Sequence, residues 1–429
     1  MTTSDFISSH ANDDVRALAL KAAGRTDIDL PFALDQIAGR QTARRKLPSW
    51  AATEGITYPP HISMEQCSSE QTALYKADIA GRIAGGGLFI DITGGFGVDF
   101  SFIARRFERA VYIERQEHLC AIAKDNFRLL GLNHAETVNG DGTEYIKAFS
   151  GGASLVFIDP ARRDSHGGRT FAISDCTPDI LNLMDTLLDK AGSVMIKLSP
   201  MLDWHKAVED IEAAAGRCVS EVHIVSVGNE CKELLVVATR RGDGSEGIRL
   251  FCTDDDTIFV SEERRGKREE SLGSEERRMN NEESDAAAGN GESDADDDDG
   301  FRYLYEPNAS IMKAGCFGAV ARRYGVRQID ANSHLFVSGT PVAGFPGRRF
   351  AVQAVTGMNR KELKAVLAGT DRANITVRNF PLTVAELRKR LKIKEGGSTY
   401  IFATTLPGRK HVLLFCHRLG DGLGDGLLR

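Results

Sequence analysis

Phe89-Ile90-Asp91-Ile92-Thr93-Gly94-Gly95-Phe96-Gly97-Val98-Asp99 is the stretch that decides the fold. An apolar run ends in an acid, turns through glycines and enters a helical pattern. That is how a strand, a tight turn and a helix begin an open α/β sheet, whose ligand lies outside the carboxyl ends of the strands. Gly94, Gly95 and Gly97 carry no side chains to block a ligand, and the amides of the following helix start can meet an anionic group. A dinucleotide fingerprint would need glycine at position 100, where Phe100 stands. The loop therefore favours S-adenosylmethionine over a dinucleotide, with Asp91, Thr93, Gly94, Gly95, Gly97 and Asp99 as the first candidates to hold it.

Outward from the loop, apolar runs over Leu88–Thr93, Ala110–Glu114, Glu136–Asn139, Leu155–Asp159, Val194–Leu198, Val222–Val227 and Leu234–Thr239 predict seven strands. Helical periodicity between them predicts a mainly parallel, Rossmann-like sheet with helices on both faces. The last two runs are separated by Gly228, Asn229 and Glu230, too short a link for a right-handed crossover, so these strands should pair antiparallel. A closing hairpin of this kind is characteristic of class I methyltransferases.

Three more acids stand at the carboxyl ends of successive strands. Glu114 is placed to accept both ribose hydroxyls of an adenosine, or else is an exposed capping acid. Asp141 can accept an adenine amino group, with Gly140 and Gly142 letting the ring pack nearby, or it caps the helix after Thr143. Asp159, followed by Pro160, is the catalytic candidate, the alternative being a loop cap. Methyl transfer is an in-line displacement, so the protein chiefly positions and desolvates the nucleophile, and no metal is required. Hydrogen bonds from an exocyclic amine to Asp159 and to the Pro160 carbonyl would align it. Arg162 and Arg163 could hold a phosphate or base. Lys197 is a candidate for substrate contact or for buried pairing with a carboxylate. Cys176 and Cys231 lie near this side of the sheet, but read as ordinary core or loop residues rather than thiolate nucleophiles.

The rest of the chain divides by composition. Residues 1–80 show helical spacing at Val15, Leu18, Leu20, Phe32, Leu34 and Ile37, which predicts an N-terminal helical domain. Gln66, Ser68, Ser69 and Thr72, just before the first strand, suggest a lid over the cofactor. The α/β domain spans 81–260. Residues 261–300 hold 15 acids against 6 bases and few apolar residues, so burial cannot offset ordering entropy and a disordered acidic linker is expected. A small α/β unit follows over 301–357. Residues 358–420 read as a β-α-β-β module: Asn374–Asn379, a helix over Val384–Lys392, then Thr399–Thr405 and His411–Cys416 around a Pro407-Gly408 turn. The tail, 421–429, should be flexible.

Charge is equally uneven. Residues 331–429 carry 16 bases and 6 acids within a chain of net charge -6, which marks a polyanion binder. Arg388, Lys389, Arg390, Lys392 and Lys394 cluster on or just after one helix and could contact phosphates, unless they are only a solvated face. Arg378 and Phe380 could stack on unpaired bases. The 8 cysteines form no CxxC pair, so neither a zinc cage nor a disulfide framework is expected. Met1–His10 lacks a signal-peptide pattern and no long apolar run occurs, which points to the cytoplasm.

Lys46-Leu-Pro-Ser-Trp50, MEQCSSEQTALYKA (64–77), DITGGFGVD (91–99), FIDPARRD (157–164), KLSP (197–200), NECKELLVV (229–237), YLYEPNASIMKAG (303–315) and ITVRNFPLTVAELRKRLKIKEGG (375–397) together resemble a bacterial family. Its members are class I adenosylmethionine-dependent methyltransferases with a carboxy-terminal THUMP-like domain. The resemblance implies a methyltransferase core, a small ferredoxin-like segment over 301–357 and a THUMP-like domain over 358–420. THUMP domains proper are RNA-binding parts of tRNA and rRNA modification enzymes. Amino methyltransferases carry Asp or Asn, two prolines and an aromatic where this chain has Asp159-Pro160-Ala161-Arg162, which leaves the target base and atom open. The leading expectation is methylation of a base nitrogen in RNA. Methylation of a protein or small molecule, and a non-catalytic RNA-binding protein retaining the cofactor fold, are the alternatives.

Overall fold

Apolar strands that end in acids make one end of a parallel sheet charged, and the computed structural model shows how. It describes residues 2–162, 173–240, 247–264 and 302–420. Arg163, most of the acidic stretch and the tail lie outside them. The chain divides into two compact units, Met1–His223 with Glu233–Ile248, and Ile224–Lys232 with Arg249–Arg429.

Six helices open the first unit: α1 Thr3–Ser9, α2 Val15–Lys21, α3 Leu30–Lys46, α4 Pro48–Ala52, α5 His61–Gln66 and α6 Glu70–Ala84. Thr2, Asp14, Asp29 and Ser69 supply side-chain caps for α1, α2, α3 and α6, satisfying amides that have no helical partner. Phe6, Leu18, Ala22, Ala33 and Ile37 form a small core among the first three. Helix α6 buries Ala73, Ala77, Ile79 and Ala80.

The main strands are β1 Leu88–Asp91, β2 Arg109–Glu114, β3 Ala135–Asn139 and β4 Ala153–Ile158. A two-residue ribbon, β5 Ala161–Arg162 with β6 Cys176–Thr177, then precedes β7 Ala191–Leu198, β8 Val219–Val227 and β9 Glu230–Thr239. The intervening helices are α7 Val98–Ile103, α8 Glu117–Leu129, α9 Gly142–Ala148, α10 Ile180–Lys190 and α11 Trp204–Ala215. Strand order runs β8-β9-β7-β4-β1-β2-β3. From β7 to β3 the pairings are parallel, and β7 pairs antiparallel with β9. Gly228 and Asn229, at φ 59° and 62°, make the two-residue turn between β8 and β9. Tyr75 Oη lies 2.8 Å from His223 Nδ1, and Arg82 makes two bonds to Glu221 at 2.8 and 2.6 Å, tying α6 to β8.

Two strands were not expected. β10 Gly247–Asp254 and β11 Thr257–Arg264 extend the order beyond β8, so among the described residues the sheet has nine strands rather than seven. β11 also carries regular structure past position 261, where the acidic linker was expected to begin. The apolar residues Ile248, Leu250, Cys252 and Phe259 are buried here and account for the extension.

In the second unit, β12 Tyr303–Pro307, β13 Arg327–Gln328, β14 Phe336–Ser338, β15 Gly347–Thr356, β16 Asn374–Val377, β17 Thr399–Leu406 and β18 Lys410–Arg418 form one sheet ordered β13-β14-β12-β15-β18-β17-β16. The helix Val384–Leu391 packs Leu387 and Leu391 into a core with Ile401, Ala403 and Leu413. No helix among the described residues is long and apolar enough to cross a membrane.

Candidate functional site

The parallel strands reverse their order between β1 and β4, and at such a switch point the crossovers leave to opposite faces and open a crevice. Asp91 ends β1 and Asp159 directly follows β4. Phe89, Ile90, Phe157 and Ile158 are buried beneath them, so the apolar strands deliver the acids to the sheet's edge. The Asp159 amide donates to Thr93 Oγ1 at 2.7 Å, joining the two strand ends.

Asp91 is 1% exposed and accepts the Thr93 amide at 2.9 Å. Burial pushes its carboxyl up to about 8, against the pull of that amide. Glu114 accepts the Gly95 and Gln116 amides, each at 2.8 Å, which holds its carboxylate against the glycine loop. Asp141 caps α9, accepting the Thr143 and Glu144 amides at 2.8 and 3.2 Å. Burial works against its charge, but these amides hold the Asp141 carboxyl below its ordinary value. The capping alternative thus describes what Asp141 does here.

The glycines divide by role. A Cβ on Gly94 would stand 2.2 Å from the Tyr112 ring, and one on Gly97 2.6 Å from Phe127. A Cβ on Gly142 would meet the Ile92 carbonyl at 1.9 Å. Their missing side chains make room for the protein's own packing. Gly95 and Gly140 differ: nothing lies within 4 Å of a Cβ on Gly140, and only the Thr93 carbonyl, at 3.9 Å, near one on Gly95. Phe100, which broke the dinucleotide fingerprint, is wholly buried against Phe89, Tyr112 and Phe127.

Asp99 does not join the glycine loop as expected. It turns inward on α7, where Ser68 donates to its Oδ2 at 2.8 Å and Lys76 Nζ pairs with Oδ1 at 3.1 Å. Burial opposes its ionisation, yet Lys76 and Lys197 hold its carboxyl below the ordinary range. Lys197 donates to Asp159 Oδ2 at 2.7 Å and pairs with Asp99 Oδ2 at 3.3 Å. Burial disfavours the Lys197 charge, but Asp159 and Asp99 raise its pKa well above a free lysine's. Of the two roles open to Lys197, the structure shows carboxylate pairing, with Asp159 and Asp99. Burial raises Asp159 above the ordinary carboxylate value and Lys197 draws it part of the way back; its side chain remains 39% exposed.

Two residues of this cluster, Lys76 and Ser68, were not singled out for it. Lys76 is wholly buried and also bonds to Glu233 and Ser68, whose Oγ lies 3.0 Å from Glu233 Oε1 as well as beside Asp99. A lysine among the buried alanines of α6 was the available signal. Ser69 and Thr72, expected in a lid, form the first turn of α6, with Ser69 accepting the Thr72 amide. Cys67, beside the cluster, has its thiol pushed up to about 11 by burial, so it offers no thiolate at neutral pH. Cys176 is buried, in keeping with an ordinary core residue, and Cys231 bonds to the Ala309 carbonyl. Pro160 is buried. Arg162 stands in β5. No group of three or more potential metal ligands occurs among the described residues.

In the second unit, Arg378 donates to Glu306 at 3.0 Å, and Arg348 bonds to the same buried carboxylate. Phe380 packs against the core, edge-on to His411. Both residues thus also serve the domain's own packing, and each stays partly exposed. Lys389, Arg390, Lys392 and Lys394 are exposed. Arg388 instead lines a cleft of about 560 Å³ with Arg348, Asn374 and Tyr400.

With this geometry in place, comparison with known proteins is informative. Residues 303–346 match the family model described as a ferredoxin-like domain, and residues 347–418 the one described as THUMP domain-like. Their boundary falls at the start of β15. A crystal structure described as a "putative methyltransferase" from Porphyromonas gingivalis W83 is similar over 97% of this chain and 98% of its own, with 29% identity and a TM-score of 0.77. An rRNA methylase from Streptococcus thermophilus covers 38% of this chain and 94% of its own, with 15% identity and a TM-score of 0.30. A Streptococcus mutans protein solved with SAH, SMU.1697c, covers 38% and 95%, with 12% identity and a TM-score of 0.30. No curated protein matches the sequence. The chain thus has the α/β fold of class I methyltransferases, extended at its carboxyl end by these two domains. The Porphyromonas gingivalis protein is a structural counterpart over nearly all of this chain.

Proposed function

We propose that this protein is an S-adenosylmethionine-dependent methyltransferase acting on a base nitrogen of RNA, with tRNA or rRNA as the substrate class. The observation that carries the reading is the row of acids Asp91, Glu114, Asp141 and Asp159, set at or just beyond the ends of four neighbouring strands around a switch point. Open space at Gly95 and Gly140, on the same edge, fits a bound adenosine. Full-length similarity to the Porphyromonas gingivalis structure supports the same class.

Asp91, Thr93, Gly95 and Glu114 would hold the cofactor, with Asp141 toward its adenine. When bound, S-adenosylmethionine supplies an electrophilic methyl group. Asp159 then acts as a hydrogen-bond acceptor: with the Pro160 carbonyl it orients the N–H bonds of an exocyclic amine and directs the nitrogen lone pair. Lys197 favours the ionised, accepting form of Asp159. Arg162 and Arg163 remain candidates for a phosphate or base. The exposed Lys389, Arg390 and Lys392, with Arg388, offer salt-sensitive phosphate contacts.

Titration calorimetry with S-adenosylmethionine tests the cofactor assignment. Glu114→Ala should weaken binding about 10-fold or more, since hydrogen bonds to both ribose hydroxyls are lost. Equal affinity in the two proteins would remove Glu114 from the site, and no binding by the unaltered protein would remove the cofactor.

A further inference from the structure

Beneath the strand-end acids lies a buried charge cluster with more anions than cations. Lys76 and Lys197 face Asp99, Glu233 and Asp159, so one carboxyl group lacks a cation of its own. Their surroundings decide which. The Asp99 and Glu233 side chains are 10% and 6% exposed, whereas the Asp159 side chain is 39% exposed. An uncompensated charge costs least at the wettest position, so Asp159 is the group left unpaired when the cluster loses a cation. Ser68 joins the pairs: its Oγ lies 3.1 Å from Lys76 Nζ and 3.2 Å from Lys197 Nζ.

Lys197 has two claimants. It lies 2.7 Å from Asp159 and 3.3 Å from Asp99, so its preference depends on whether Asp99 is already neutralised. Lys76 neutralises it, sitting 3.1 Å from the other Asp99 oxygen while also bonding to Glu233. The geometry points to Lys76 as a positioning residue for Asp159: by occupying Asp99 and Glu233 it leaves Lys197 to hold the carboxylate that faces substrate. Lys76 acts without bonding to Asp159. Without it, Lys197 is drawn to the deeper Asp99, and Asp159 loses its cation. Asp91, close enough to feel the Asp159 charge, then adds repulsion where it is ionised. The inference rests on Asp159 as the group presented to substrate, and its test does not require turnover.

The test measures the unfolding free energy of a protein and of its Asp159→Asn counterpart across pH; their difference traces the titration of Asp159. Loss of a cation within a few ångströms moves a carboxyl by about one pH unit or more. In the Lys76→Met background the titration should therefore end about one unit higher than in the unaltered protein. In Lys76→Met/Asp99→Asn/Glu233→Gln, where no carboxyl competes for Lys197, it should return. A purely structural lysine would lower stability without moving the titration, and an unmoved titration in Lys76→Met would overturn the proposal. So would a triple variant that stays shifted. If Lys76→Met alone does not fold, Lys76→Met/Glu233→Gln, in which Asp99 still competes, replaces it in the comparison with the triple. Absence of methyl transfer, by contrast, would count against the proposed function and leave this result standing.

Discussion

The acids at the strand ends show how far single residues could be read. Asp91, Glu114 and Asp159 were recognisable because an apolar run ending in an acid is a local pattern, and the structure puts all three where that pattern places them. Lys76 and Ser68 were not, because their partner Glu233 lies 157 and 165 residues away and only the fold brings them together. The pairing of Arg378 with Glu306 was hidden for the same reason, since nothing local points to it. Asp91 carries a pH signature. Its carboxyl titrates near 3.8 when unfolded and at about 8 when folded, so between those values the folded state holds the extra proton. Stability contributed by Asp91 is therefore full below the lower value and lost as pH rises through the upper one. Asp91→Asn, which cannot ionise, should gain stability relative to the unaltered protein between about pH 5 and about pH 8 in urea unfolding. A constant difference across that range would show that Asp91 is not a buried, protonated acid.

Elements were readable wherever one face or one run was apolar. All seven expected strands of the first sheet exist, and the Gly228-Asn229 turn closes its hairpin. The β10 and β11 pair escaped because its hairpin turn runs through Asp254, Asp255 and Asp256, and acids continue into the next stretch, so composition masked the alternation. In the second unit the local β-α-β-β pattern was plain. Its merging with β12 to β15 into one sheet was not, since Tyr303 pairs with Ala351 across a long connection. The helix Val384–Leu391 begins in a capping box, Thr383 with Glu386, and carries the exposed Lys389 and Arg390. Thr383→Ala should cost about 1 kcal/mol of stability in urea unfolding, as the Glu386 amide loses its acceptor. A cost near zero would mean that packing of Leu387 and Leu391 alone sets the start of the helix.

At the scale of the whole molecule, the chain carries an acid-lined strand edge and a carboxyl-terminal sheet with a basic helix, and the proposed RNA methylation would use both. The uneven charge along the sequence anticipated that division, whereas the choice of base and atom leaves no trace in a chain whose Asp159-Pro160 is followed by alanine rather than a second proline. The most direct measurement is transfer of labelled methyl from S-adenosylmethionine to total RNA from a strain lacking the gene, comparing the full-length protein with Asp159→Ala. The account predicts label in RNA with the unaltered protein and its loss, by about 100-fold or more, with Asp159→Ala. RNA left unlabelled by a protein that binds the cofactor, or labelled equally well by Asp159→Ala, would contradict it.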